Sequence, residues 1–315
     1  MSALDPELAV ALEKLEADGW LPITRETPEE ARRNYRDLAL LRRGSQELPV
    51  ASVHDDVVTD TSTGTEVDVA VRVYAPEHSR GVTVVWLHGG GWVVGDLDTG
   101  DAAARRVCRH LGATVVSVDY RLAPEHPHPA PLQDAHTALR WAAAHVGGRL
   151  VVGGDSAGAG LAAGLALLAR DWGPRLEAQL LLYPGLDPTM AHPSVVENAD
   201  GPFLTAADMR WFWARYLPDA TRHGDPSVNL GEAARLGELA DLAPAVVAVA
   251  DLDPLRDEGV AHAEAMAAAG VPVRLLRGEG LVHGFFGLAA ASTAAREEGD
   301  RALDALADLL AESAT

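Results

Sequence analysis

A serine suited to act as a nucleophile lies in the pentapeptide Gly-Asp-Ser-Ala-Gly at 154–158. The pattern Gly-x-Ser-x-Gly follows the apolar run 150–152 and opens a stretch of small residues typical of a helix, and this strand–turn–helix context is what a nucleophile elbow requires. Small neighbours allow a sharp, strained turn, and a helix N-terminus favours negative charge developing beside Ser156. We therefore assign Ser156 as the candidate nucleophile, with an ordinary tight turn as the alternative.

Three consecutive glycines lie in the segment His-Gly-Gly-Gly-Trp at 88–92, directly after the β-rich run 82–87. Such a run loses much backbone entropy on folding and contributes no side-chain packing, so we expect it only where a function requires glycine. Backbone N–H groups approach a substrate oxygen closely only where no side chain blocks them, as in an oxyanion hole. A flexible loop is the alternative, but Trp92 and the apolar pair 93–94 favour a packed loop.

A serine hydroxyl needs a base, and the base needs an acid that orients it. On a scaffold with a nucleophile elbow the chain order is Ser, then Asp or Glu, then His, each after a strand. Asp253 follows the apolar run 245–250, and His283 follows the run 271–276. Asp251 is the alternative acid at the same strand end, whereas 257–258 suits the cap of the next helix.

Other chemical patterns are incomplete. His126 and His128 lie in a Pro-rich loop without the further ligand that a zinc site needs. The acidic residues Asp96, Asp98 and Asp101 resemble a calcium loop only loosely, because the required glycine and terminal glutamate are missing. The chain has no P-loop, and its Gly-rich helix misses the dinucleotide spacing. The sequence therefore predicts no metal and no cofactor.

Alternating strands and helices must position these residues. Apolar or alternating runs predict strands at 66–74, 82–87, 113–118, 150–153, 180–183, 245–250 and 271–276, and helices at 132–145, 157–170, 257–269 and 294–311. Continuous apolar strands separated by helices indicate an α/β fold with a mostly parallel central sheet covered by helices on both faces.

Two segments stand outside this alternation. The first 45 or so residues are predicted to be helical, with helix starts at Asp5-Pro6 and at Thr27, where Glu30 completes a capping box. Between 184 and 242 there is no clear strand but an aromatic, helix-like stretch at 209–217. An insertion between sheet strands usually lies at their carboxyl ends, where ligands bind. Plain core packing is the alternative for each aromatic residue.

Composition limits the class of protein. The 315 residues include 26 Lys and Arg against 46 Asp and Glu, a net charge of −20, so nucleic acid and anionic membranes are not expected partners. The single cysteine, Cys108, excludes an internal disulfide. The first residues lack a secretion pattern, and no apolar run reaches the roughly 20 residues of a membrane span. We expect a cytoplasmic protein.

Taken together, four motifs resemble the hormone-sensitive lipase family of α/β-hydrolases, the bacterial family IV esterases. They are His-Gly-Gly-Gly-Trp at 88–92, Gly-Asp-Ser-Ala-Gly at 154–158, Asp-Pro-Leu-Arg-Asp-Glu-Gly at 253–259 and His-Gly-Phe at 283–285. The segments 119–125 and 95–98 also match the family's usual sequence. The resemblance extends over nearly the whole chain and implies an α/β-hydrolase fold with a helical cap.

The resemblance also implies a role for each matching residue. Ser156 is the nucleophile, His283 the base and Asp253 its partner, while the oxyanion donors are the N–H groups of Gly90, Gly91 and Ala157. The implied substrate-binding residues are Trp92, Trp211, Phe212 and Phe285. The implied domains are an N-terminal cap segment at 1–45 and a catalytic domain at 46–315 with a cap insertion at about 185–240.

The predicted function is a serine carboxylesterase that hydrolyses short- to medium-chain acyl esters through an acyl-enzyme intermediate. A small-molecule ester is the expected partner, and a homodimer is one option for the assembly. Two alternatives remain at this point: an amide, carbamate or lactone hydrolase with the same triad, and a non-catalytic small-molecule binder on the same fold.

Overall fold

The computed structural model describes residues 3–18, 22–43, 48–60 and 67–313, and all statements below concern these residues. Its strands are β1 (Ser52–Asp60), β2 (Val67–Ala75), β3 (Val82–Leu87), β4 (Thr114–Asp119), β5 (Arg149–Asp155), β6 (Ala178–Leu182), β7 (Ala245–Leu252) and β8 (Val273–Val282). Its α-helices are α1 (Pro6–Ala17), α2 (Pro28–Arg43), α3 (Asp101–Leu111), α4 (Ala130–His145), α5 (Ala157–Trp172), α6 (Pro193–Glu197), α7 (Ala206–Tyr216), α8 (Leu230–Arg235), α9 (Arg256–Ala268) and α10 (Thr293–Glu312).

The strands form one sheet in the order β1-β2-β4-β3-β5-β6-β7-β8. Strands β3 to β8 pair in parallel, while β1 pairs antiparallel with β2 and β2 antiparallel with β4. The predicted fold class, a mostly parallel sheet between helices, is confirmed. Because parallel strands end at one edge of the sheet, the residues that follow β3, β5, β7 and β8 meet there.

A hydrophobic core lies on each face of the sheet. Strand β3 shows the pattern: Val85 and Leu87 face the core that includes α4, α5 and α9, whereas Val84 and Trp86 face the core that includes α1, α3 and α10. All six residues of β3 are buried, which explains why the sequence has a continuous apolar run there.

The predicted helix starts near the N-terminus are confirmed. The Asp5 carboxylate accepts a hydrogen bond from the Leu8 N–H at 3.0 Å, with Pro6 as the first helical residue. At the start of α2, the Thr27 hydroxyl accepts from the Glu30 N–H at 3.3 Å and the Glu30 carboxylate accepts from the Thr27 N–H at 2.9 Å. Residues 1–2, 19–21 and 44–45 of the predicted segment, and Glu66 of the first predicted strand, lie outside the described residues.

Several elements differ from the sequence prediction, among them helices α3, α6 and α8, which have no predicted counterpart. Strand β1 has no predicted counterpart, because this edge strand is mostly exposed and lacks an apolar run. Strand β8 continues to Val282, six residues beyond the predicted end, since Val282 pairs with Leu252 past an irregularity in the register. His283 therefore follows the strand directly. Within the described residues, no helix combines the length and apolar character needed to cross a lipid bilayer.

Candidate active site

Ser156 lies at the sharp turn between β5 and α5. Its backbone has φ 56° and ψ −120°, a strained conformation for a residue with a side chain. The turn depends on two glycines, because a Cβ on Gly154 would lie 2.4 Å from the Leu87 carbonyl oxygen and one on Gly158 only 1.9 Å from it. The sequence pattern therefore reflects close backbone packing that presents the hydroxyl at the start of a helix.

The predicted triad residues meet at the carboxyl edge of the sheet. The Ser156 Oγ lies 2.8 Å from the His283 Nε2, and the His283 Nδ1 lies 2.8 Å from the Asp253 Oδ2. A carboxylate only accepts hydrogen bonds, so Nδ1 carries the proton and Nε2 is left to accept from the serine hydroxyl. This is the tautomer that a general base needs.

Asp253 is fixed from several sides. Its side chain is buried at 1% exposure, its Oδ1 accepts the Leu255 N–H at 2.9 Å, and its backbone oxygen accepts from the Asn198 side chain at 3.1 Å. Asp251, the alternative acid, instead uses its backbone oxygen to accept from Arg256. The geometry thus favours Asp253 as the partner of His283.

The glycine loop follows β3 and faces the serine. Gly90 has φ 125° and Gly91 has φ 57°, conformations that favour glycine. Both line the same pocket as Ser156, and within the described residues neither N–H donates to another group. Ala157 is the first residue of α5, where the N–H has no partner inside the helix. These three predicted donors therefore lie at the pocket that Ser156 lines, without a hydrogen-bond acceptor among the described residues.

Asp155 holds the glycine loop in place, a role that the sequence analysis did not assign. Its Oδ1 accepts the Gly89 N–H at 3.0 Å. Burial raises the pKa of Asp155 to about 6, against the opposing effects of the Gly89 N–H and of His283, which lower the pKa. Asp155 is part of the pentapeptide, but only the fold shows that its carboxylate contacts the loop after β3.

Two further residues support the loop. The Tyr120 hydroxyl donates to the His88 carbonyl at 2.6 Å, and the two rings stack 4.3 Å apart. Arg32 of α2 donates from Nε to the Val93 carbonyl and from Nη2 to the Ala123 carbonyl, both at 2.8 Å. Such contacts between distant segments leave no signal in a single sequence.

The site opens into a pocket of about 340 Å³. Of the predicted substrate-binding residues, Trp92 and Phe212 line this pocket. Trp211 and Phe285 do not: Trp211 packs under the Arg215 guanidinium at 3.5 Å, and Phe285 is fully buried against Tyr183. Neighbours on a helix point about 100° apart, so Phe212 facing the pocket turns Trp211 away.

The other candidate sites have structural explanations. Asp96 and Asp98 pair with Arg36, and Asp101 pairs with Arg105 at 2.8 Å. His128 is buried with its Nε2 3.2 Å from Asp225. Among the described residues, no group of three or more His, Cys, Asp or Glu side chains is arranged to hold a metal ion.

Comparison with known proteins gives a consistent answer. A family model described as the alpha/beta hydrolase fold matches residues 84–287. Esterase LipI of Mycobacterium tuberculosis is 43% identical over 279 residues, 84% of this chain and 87% of that protein. Carboxylesterase NlhH of the same organism is 44% identical over 248 residues, 76% of this chain and 78% of that protein.

A solved structure extends the similarity to the whole chain. The hyperthermophilic esterase from the archaeon Pyrobaculum calidifontis superposes with a TM-score of 0.88 at 33% identity, covering 99% of both chains. The family model and these identities support one assignment for fold and reaction class. This chain is a carboxylesterase that belongs to the hormone-sensitive lipase family of the α/β-hydrolase superfamily.

Proposed function

We propose that Ser156, His283 and Asp253 hydrolyse carboxylic esters, with Gly90, Gly91 and Ala157 as the oxyanion donors. One observation carries the proposal: two consecutive 2.8 Å contacts link serine to histidine and histidine to a buried carboxylate. A histidine oriented in this way takes a proton from the hydroxyl and becomes an imidazolium that the carboxylate stabilises.

The first half-reaction forms an acyl-enzyme. Ser156 Oγ attacks the carbonyl carbon of the ester while its proton passes to Nε2 of His283. The carbonyl oxygen becomes negatively charged and accepts hydrogen bonds from the backbone donors of the glycine loop and of Ala157. His283 then gives its proton to the leaving oxygen, and the bond between carbon and the alcohol oxygen breaks.

The second half-reaction uses the same groups on water. His283 takes a proton from a water molecule, whose oxygen attacks the acyl carbon and forms a second oxyanion in the same position. The Ser156 oxygen leaves with the proton from His283, which releases the carboxylic acid and restores the starting site. Every proton moves between residues of this chain, substrate and water.

The pocket supports short- to medium-chain acyl groups as substrates. Its volume of about 340 Å³ lies at the lower end of small-molecule sites. Ile23, Leu38, Leu204 and Met209 contribute apolar surface to its wall. An extended long-chain acyl group exceeds this space, so we propose that such esters react poorly.

The same wall supports a division of the chain into a catalytic body and a cap. The cap consists of the two segments 1–45 and 185–240. Residues within 23–38 and within 203–212 line the pocket together with the glycine loop and Ser156. We further propose a cytoplasmic location, on the basis of the single cysteine in the sequence, and a homodimer as the assembly to be tested by light scattering.

The direct test is Ser156→Ala with 4-nitrophenyl butyrate as substrate. We expect kcat to fall by a factor on the order of 10⁶ while the melting temperature stays close to that of the unmodified enzyme. Retained turnover by the folded variant would refute the nucleophile assignment. A panel of amides, carbamates and lactones, measured on the unmodified enzyme, then ranks the alternative leaving groups against esters.

A further inference from the structure

Five acidic side chains are among the described residues that line the catalytic pocket, and His283 is the one basic side chain among them. The acidic residues are Asp18, Glu26 and Asp37 of the N-terminal cap segment, Asp155 of the elbow and Asp208 of α7. No Lys or Arg is among the described residues that line the pocket, although the chain contains 26 of them. The site therefore has a negative character that a charged substrate would meet on entry.

Three carboxylates of the pocket wall belong to the N-terminal cap segment. Within the described ranges, Asp18, Glu26 and Asp37 form no ion pair, and Glu26 accepts only from the Asn34 amide. Two arginines of α2 are engaged with other carboxylates, since Arg32 pairs with Glu125 and Arg36 pairs with 96 and 98. The negative charge at the pocket wall is thus available to a ligand.

Asp208 provides a second, independent observation deeper in the wall. It is 3% exposed, and its Oδ2 accepts from the Thr205 N–H at 3.1 Å and from the Thr205 hydroxyl at 2.7 Å. Its Oδ1 is buried and has no hydrogen-bond partner among the described residues. A buried acceptor without a partner is unfavourable, so a ligand that brings positive charge beside Asp208 is stabilised there.

Aromatic side chains complete the wall. Tyr35, Phe203 and Phe212 on the cap side and Tyr183 below His283 all line the pocket. The negative faces of aromatic rings attract alkylammonium groups, most strongly where water is excluded. Carboxylates and aromatic rings together form a surface that recognises such groups.

We propose that this pocket selects esters that carry an alkylammonium group over their uncharged isosteres, and selects uncharged esters over those that carry a carboxylate. The inference rests on the function proposed above, because the discriminating wall surrounds Ser156. On this inference, residues of the cap discriminate between substrates by their charge. The released acid, an anion, is also repelled by the same wall, which favours its departure.

The test compares substrates of equal shape and different charge. Acetylcholine and its uncharged isostere 3,3-dimethylbutyl acetate form one pair, and 4-nitrophenyl hemiglutarate and 4-nitrophenyl hexanoate form the other. At low ionic strength we expect kcat/KM to be about tenfold higher for the ammonium ester than for its isostere. The ratio should shrink severalfold in 0.5 M NaCl, because exposed charges are screened. The hemiglutarate should be the poorer member of its pair.

Matched variants separate the pocket from the net charge of the chain. The double variant E26Q/D37N removes two carboxylates from the pocket wall. The control E16Q/E29Q removes two exposed carboxylates of the same N-terminal segment that do not line the pocket. We expect E26Q/D37N to lower the ratio between acetylcholine and its isostere at least threefold, and the control to leave that ratio unchanged.

The outcomes distinguish this inference from the proposed function. If 4-nitrophenyl hexanoate is hydrolysed and the ammonium ester shows no advantage, the inference is wrong and the esterase proposal stands. An equal loss of the ratio in both double variants also overturns it, since the preference would then come from the net charge. If no uncharged ester is hydrolysed, the proposed function itself fails.

Discussion

Replacing Gly91 by alanine tests how the glycine loop and the cap share one space. A Cβ on Gly91 would lie 2.0, 2.2 and 2.4 Å from the Cδ1, Cγ and Cε1 atoms of the Phe212 ring. Ordinary carbon contacts are about 3.5 Å, so the loop and the ring must separate by about 1.5 Å. The φ of 57° adds a backbone strain of about 1 to 2 kcal/mol for a residue with a side chain.

This displacement acts on an oxyanion donor. Hydrogen bonds to an oxyanion need about 2.7 to 3.1 Å, and the loss of one donor lowers kcat by about 10² to 10³. We therefore expect Gly91→Ala to lower kcat for 4-nitrophenyl butyrate by at least about 10², since a misplacement of about 1 Å is enough for that. KM should change less, because the oxyanion forms only after binding.

Gly81→Ala is the matched control. Gly81 has φ 69°, similar to Gly91, but a Cβ there meets no atom within 4 Å. It should lower the free energy of unfolding by about 1 kcal/mol and leave kcat unchanged. Steady-state assays of both purified variants give kcat, and urea unfolding gives the free energy of unfolding. A Gly91→Ala enzyme with kcat within threefold of the unmodified protein would refute the steric and oxyanion argument.

Three further changes test other parts of the site and fold. Asp253→Asn should lower kcat by about 10⁴, because an amide donating to Nδ1 favours the wrong tautomer, whereas Asp251→Asn should change kcat less than fivefold; the reverse ranking in the same assay would reassign the acid. Leu204→Trp should fill part of the cavity and lower kcat/KM for 4-nitrophenyl hexanoate far more than for 4-nitrophenyl acetate; equal losses of kcat/KM for the two esters would contradict the proposal that Leu204 contacts the acyl chain. His262 is 5% exposed, neither ring nitrogen has a partner among the described residues, and burial lowers its pKa to about 4. Since the unfolded chain takes up this proton near pH 6.5, stability should fall by about 2 kcal/mol between pH 7 and pH 5; His262→Met should flatten this fall in urea titrations, and an unchanged slope would show that His262 is not responsible.

The triad could be predicted from the sequence because residue type, order and neighbouring elements agree. The pentapeptide at 154–158 lies between a buried strand and a helix, and each later residue follows an apolar run. Parallel strands then bring Ser156, Asp253 and His283 to one edge of the sheet. The triad residues can therefore be identified from short sequence segments that directly follow clearly apolar strands.

Features that depend on contacts between distant segments could not be predicted in this way. Arg32 reaches Val93 across 61 positions, and the Asp155 carboxylate reaches Gly89 across 66. The placement of Trp211 away from the pocket depends on the rotation of α7 against the glycine loop, which composition does not determine. By contrast, helix α3 has a signal in the sequence, since its apolar residues at 104, 107, 108 and 111 follow the helical period and are buried in the fold.

Covalent labelling with a fluorophosphonate tests most directly whether Ser156 is a nucleophile activated by His283. An activated serine displaces fluoride and forms a bond from Oγ to phosphorus, which intact-mass analysis counts and peptide mapping locates. We expect one adduct per chain, on Ser156, formed at the same rate at which esterase activity is lost. We expect much slower labelling of the His283→Gln variant. An unlabelled Ser156 in an enzyme that loses activity, or full ester hydrolysis by a protein labelled at Ser156, would contradict the nucleophile assignment.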